Sequence, residues 1–134
     1  MNIITRCNAA ERLRNLIKKE KIRYFTVPDK WIYTTPTIDQ DPVLIVTYMN
    51  IVSKEQSKYA WKYLVKPKHL DELYCIIRHG CGSSKLVDNI PYTKEGVFTC
   101  IDTEKPSHGD RNLKKYLSQK MKNYWDDLVE KEAS

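Results

Sequence analysis

No stretch of this 134-residue chain is apolar over the length of about twenty residues that a bilayer-spanning helix needs. Residues 1–7 also lack the apolar core of a secretory signal, so a cytoplasmic protein with no membrane partner is expected. Its four cysteines, Cys7, Cys75, Cys81 and Cys100, form no C-x-x-C pair, which argues against a zinc ribbon or a redox dithiol. Cys75, His79 and Cys81 lie close together, but no fourth ligand completes a structural zinc site. Reduced, mostly buried thiols are the expectation. There is no internal repeat, low-complexity tract or linker, and with only four glycines there is no Gly-rich loop to cradle phosphates.

What is present is a core. Nine Tyr, three Trp and two Phe exclude a solvated, disordered chain. Residues 1–134 are the size of one globular domain. Net charge is +6, and it is uneven: residues 1–68 carry 13 basic and 6 acidic groups (+7), residues 69–134 carry 10 and 11 (−1). Such an asymmetry suits an anionic partner, although Lys outnumbers Arg 17 to 6 and the planar Arg fork is the commoner reader of phosphates and bases.

Periodicity and capping residues predict a mixture of helix and strand. Asn8 with Glu11 resembles a capping box opening a helix that places Leu13, Leu16 and Ile17 on one face and ends near Lys21 or Ile22. Residues 24–27 and 31–34 read as a β-hairpin about Pro28, and residues 43–49 as a buried strand. Ser53 with Gln56 is a second capping box, with Tyr59, Ala60 and Tyr63 continuing the helical spacing. Pro67 opens another helix, whose stripe is Leu70, Leu73, Tyr74, Ile76 and Ile77 and whose terminator is Gly80. Residues 89–93 and 97–102 form a hairpin around Gly96. A long amphipathic helix runs from Asp110 as cap through Leu128. The class is α+β: a small antiparallel sheet with flanking helices and a long C-terminal amphipathic helix.

The chemistry concentrates at the second hairpin. Its closure makes Asn89 and Asp102 neighbours, an amide oxygen beside a carboxylate, which suits Mg²⁺ with room left for phosphates. Read instead as a turn, Asp88 and Asn89 are loop residues and Asp102 ends a strand. The interval resembles the protein-kinase-like superfamily, including small-molecule and aminoglycoside kinases, in which a catalytic-loop Asn precedes a metal-binding Asp by thirteen residues across a small hairpin. Here the text runs Asn89-Ile90-Pro91, through Gly96 in the turn, to Ile101-Asp102-Thr103-Glu104. The resemblance implies Mg and ATP as ligands, with Asn89, Asp102 and Glu104 holding them. It covers residues 9–104, with Tyr48-Met49 as hinge, and its diagnostic letters lie between Asn89 and Glu104.

The departures are specific. Ser84 stands five residues before Asn89, where that family has its general-base Asp, and neither a Gly-rich loop nor a strand Lys precedes the first helix. Without them phosphoryl transfer lacks positioning and charge stabilisation. The resemblance therefore implies a truncated, degenerate member, non-catalytic, that acts by binding a protein partner or a second copy of itself and holds Mg-nucleotide weakly if at all. His108-Gly109-Asp110 imitates a kinase triplet, but Asp110 is better placed as a helix cap. Ser84 or Cys81 near His79 could serve a hydrolase, yet no orienting acid is positioned. The alternative reading is a small basic module for nucleic acid or another anion, using Arg12, Arg14, Lys18, Lys19 and Lys21.

Overall fold

The computed structural model describes residues 3–33, 43–46, 49–102 and 108–133, with side chains for 8–29, 49–102 and 108–132. The first element is helix α1, Ile3–Lys19. It begins before the expected cap, so Asn8 lies inside it. Leu13 and Leu16 are buried as the periodicity requires. Its end is a left-handed cap on Lys21 (φ 54°) rather than on glycine. The Ile22 amide bonds back to the Ile17 carbonyl at 3.0 Å and the Lys21 amide to Lys18 at 3.4 Å, which places apolar Ile22 against the helix end.

The expected hairpin of residues 24–27 with 31–34 does not form. Strand β1, Phe25–Thr26, pairs in parallel with a distant partner, β4, Phe98–Thr99, in the register Phe25 to Phe98 and Thr26 to Thr99. Between them in sequence, β2 (Lys30–Tyr33) pairs antiparallel with β3 (Val43–Val46) in a separate two-stranded ladder. The mixture of helix and strand is thus found, but the single antiparallel sheet is not, because the pair at the core is parallel. Phe25 needs core partners whichever strand it pairs with. The parallel pairing sets it against Phe98 (ring centroids 5.6 Å) and Trp61 (6.2 Å), at the centre of the buried cluster.

Helix α2, Lys54–Tyr59, opens on the expected box, with Ser53 Oγ accepting the Gln56 amide and Gln56 Oε1 accepting the Ser53 amide, each at 3.2 Å. It runs into a π-helical turn, Ala60–Leu64, which buries Ala60 and Trp61 and leaves Tyr59 (57%), Tyr63 (61%) and Leu64 (41%) exposed. Helix α3, Pro67–Arg78, buries the whole expected stripe and stops at Gly80 (φ 78°), whose amide bonds to the Ile77 carbonyl at 2.9 Å. A single turn, α4 (Leu86–Asn89), leads into the hairpin that carries β4. The last helix is shorter than its periodicity suggests. Asp110 caps only α5, Arg111–Lys114, and α6 spans Gln119–Ala133. The break comes at Ser118, whose hydroxyl accepts the Met121 amide at 3.3 Å and so caps α6 from within the apolar repeat. Trp61 Nε1 donates to the Ile90 carbonyl (3.0 Å) and Trp125 Nε1 to that of His108 (2.8 Å), which ties the helices to the loops they cover.

Candidate functional site

The turn expected around Gly96 closes by backbone bonds. The strand expected over residues 89–93 does not form, since Asn89 ends α4 and a single bridge, Tyr92 to Phe98, joins the arms. The Ile101 amide donates to the Asn89 carbonyl at 3.0 Å, Thr99 to Pro91 at 2.9 Å and Thr93 to Val97 at 2.9 Å. Gly96 takes φ 86° at the turn, where a side chain would be strained. Asn89 and Asp102 therefore stand at the same mouth. Single bridges extend the ladder from Phe98 to Tyr92 and from Thr93 to Ile51.

At that mouth Asn89 Nδ2 donates to Ser83 Oγ at 3.0 Å, and the Lys85 amide donates to the same oxygen at 3.1 Å. Any ligand oxygen on Asn89 is then Oδ1. Asp102, half-buried, follows Ile101 at the same end of the hairpin. Among the described residues no group of three or more His, Cys, Asp or Glu could hold a metal. Glu104 and Tyr48 lie outside the described residues. Ser84 is 8% exposed, and its neighbour Ser83 is fully buried.

The cations of α1 are partly committed within the molecule. Arg14 pairs with Glu11 and with Asp29 (2.9 Å), and Arg12 donates to the Gly80 carbonyl at 3.3 Å across the end of α3. Lys18 and Lys19 remain exposed, and Arg12 and Lys19 line a cavity of about 300 Å³ that reaches His79 and Cys81. Lys21 lines another of about 420 Å³, where Asp71 and Glu72 balance Lys21, Arg23 and Lys68. This face is mixed in sign.

The thiol cluster is local packing. Burial and the nearby Glu20 charge push the Cys75 thiol above its usual range, away from a reactive thiolate. His79 Nδ1 lies 2.8 Å from the Cys75 carbonyl, and Cys81 Sγ contacts the His79 carbonyl at 3.8 Å. Asp110 acts as a cap, accepting the Asn112 amide at 2.8 Å.

One feature is hidden at the level of sequence, where Tyr59 and Tyr63 only continue a helical repeat. Residues four apart are neighbours on a helical surface. Here that brings the Tyr59 and Tyr63 rings to 4.8 Å on the outside of the molecule. Lys58 and Lys62, each one residue earlier, line a cavity of about 420 Å³ with Lys115, Lys122 and the start of α6. The readable signal is the doubled spacing Lys-Tyr…Lys-Tyr at 58–59 and 62–63. Compared with family models, curated proteins and solved structures, the chain matches none.

Proposed function

We propose that this chain is a non-catalytic, kinase-like domain that acts by binding a partner and holds Mg-nucleotide weakly at Asn89 and Asp102. The observation that supports this reading is the closed hairpin, whose backbone bond from Ile101 to Asn89 brings the segments carrying Asn89 and Asp102 to one end. With it goes a buried Ser84 five residues before Asn89, where the resemblance has its general-base Asp. A serine hydroxyl cannot take the substrate proton at neutral pH as a carboxylate does. Asn89 would orient one oxygen toward the ion, held by its bond to Ser83, and Asp102 would supply the charge. Asn89 and Asp102 would hold a Mg²⁺ ion whose charge would help neutralise the nucleotide's phosphates.

A thermal-shift titration with Mg–ATP tests it, run alongside a phosphate-release assay. Stabilisation by millimolar nucleotide that disappears in Asp102→Ala, with no turnover above blank, is expected. Turnover would overturn the non-catalytic assignment, and an unshifted parent protein would overturn nucleotide binding.

A second reading, a small basic module for an anionic partner, is favoured by a different observation. The cavity beside α6 is lined by four lysines, Lys58, Lys62, Lys115 and Lys122, and no carboxylate. Its mark is affinity for polyanions that falls steeply with salt.

A further inference from the structure

We propose that the outer face of α2 and its π-helical turn, together with the start of α6, binds single-stranded nucleic acid, with Tyr59 and Tyr63 as a stacking platform and Lys58, Lys62, Lys115 and Lys122 following the phosphates. The inference rests on the basic-module reading and is independent of the hairpin at Asn89.

Two exposed rings already stand 4.8 Å apart with 46° between their planes. At 57% and 61% exposure, their faces are not consumed by the core, which has its own aromatic set in Phe25, Trp61 and Phe98. Exposed tyrosine rings can stack on bases, which present flat π-faces without demanding a particular sequence.

Charge selects among possible covers. The cavity next to the rings has four lysines among its lining residues and no acid. Lys58 meets Glu55 at 3.5 Å, but that carboxylate lies on the solvent side, 83% exposed. Lys62 Nζ, on one wall, sits 5.5 Å from the Tyr63 ring centre outside the cavity, and Lys115 Nζ lies 5.6 Å from the ring of Tyr116, which lines the other wall. Ammonium groups beside ring faces are what a strand needs when its bases stack and its phosphates run alongside. The first turn of α6 adds the positive end of a 15-residue helix to the same cavity, lined there by Ser118 and Gln119. A protein partner would have to bury these lysines against acids of its own; a nucleic-acid strand supplies one charge per nucleotide.

Fluorescence anisotropy with labelled oligouridylate and oligothymidylate of about twelve nucleotides tests the proposal. Binding at low salt is expected, with log affinity falling against log salt at a slope of about −2 to −3 for three to four phosphate contacts. Tyr63→Ala is expected to weaken binding about tenfold. Combined Lys62→Glu and Lys122→Glu substitutions are expected to lower the slope by about 1 or more. These side chains lie outside the core, and unchanged unfolding midpoints in the variants will show that folding is intact.

Binding that Tyr63→Ala leaves untouched, or that duplex DNA or polyphosphate reproduces with equal affinity, overturns the stacking platform. Loss on reversing Lys18 and Lys19 instead, with Tyr63→Ala silent, moves the site to α1 and leaves the basic-module reading standing. No binding to any polyanion removes both, and self-association through the tyrosines without oligonucleotide binding assigns the patch to a second copy.

Discussion

The carboxylate of Glu72, on α3, accepts the backbone amide of Tyr24 at 2.8 Å through Oε1, while its Oε2 accepts that of the preceding Arg23 at 2.9 Å. These two amides lie at the entrance to β1, before the strand finds its ladder. The next link runs the other way, with the Phe98 amide donating to the Tyr24 carbonyl at 2.9 Å. One side chain of a helix thus aligns the strand that carries Phe25 into the core. Charge-assisted bonds are the stronger kind, each worth about 1.5–3 kcal/mol, and partial exposure of Glu72 reduces that. Glu72→Ala is expected to cost about 2 kcal/mol, and Glu72→Gln less, since it keeps one acceptor. Urea unfolding checks this: the midpoint falls with unchanged slope. A midpoint within error of the parent would show that β1 needs no such anchor.

What could be read from the sequence was what neighbours in sequence decide. Ser53 and Gln56 satisfy one another, Gly80 stops α3, and Gly96 turns the hairpin that joins Asn89 to Asp102. The parallel pairing of Phe25 with Phe98 was not legible, because residues 24–27 carry the same β-branched and aromatic signal whichever strand they meet. Pro28 looked like a hairpin turn and serves instead as a passage between two ladders. The cap at Ser118 was masked by an unbroken apolar repeat on either side. The outward direction of Tyr59 and Tyr63 was not legible for a related reason: a spacing of four fits both a buried stripe and an outward one, and only the position of Trp61 tells which face is inside.

The imidazole of His69 is held neutral. It stacks on Tyr24 at 4.1 Å, and its Nδ1 accepts the Lys66 amide at 3.0 Å, so its proton resides on Nε2. Burial, reinforced by the Lys66 charge, lowers its pKa below the ordinary 6.5. As pH falls through 6.5 the unfolded chain takes up a proton that the folded chain does not, so stability declines from there down to the folded pKa. His69→Asn keeps an acceptor near the Lys66 amide and removes the titration. Melting curves between neutral and mildly acidic pH are expected to fall more steeply for the parent than for the variant. Parallel curves would mean that His69 is protonated without cost.

Helices α3 and α6 are linked by Tyr124, whose hydroxyl donates to Asp71 Oδ1 at 2.6 Å. That bond, aided by burial and by the Asp71 charge, pushes the phenol up to about 12. The sign is opposite to that of His69: the contribution is complete below about pH 10, where the unfolded tyrosine begins to ionise, and is lost as pH rises toward the folded value. Ultraviolet titration should resolve one late tyrosinate that disappears in both Tyr124→Phe and Asp71→Asn. Tyr124→Phe is expected to cost about 1 kcal/mol at neutral pH, since the aspartate it frees can be solvated. A phenol titrating with the exposed tyrosines would place this bond outside the solution structure.

Thr99 lies at the centre of the fold, on β4, fully buried, and its hydroxyl is the one buried side-chain oxygen without a hydrogen-bond partner among the described residues. A buried hydroxyl that makes no bond has lost its water and gained nothing in return. Valine has nearly the same shape, favours strands and removes the desolvation cost, so Thr99→Val is expected to stabilise the protein by about 1 kcal/mol. The outcome separates two states of the core. A gain places Phe98 and Thr99 in a dry, tightly packed sheet beneath the Asn89–Asp102 mouth. A loss of similar size means that an ordered water reaches Thr99 and that the hydroxyl is satisfied through it. Thermal unfolding of the single variant, with Thr99→Ala as a measure of lost packing, distinguishes the two.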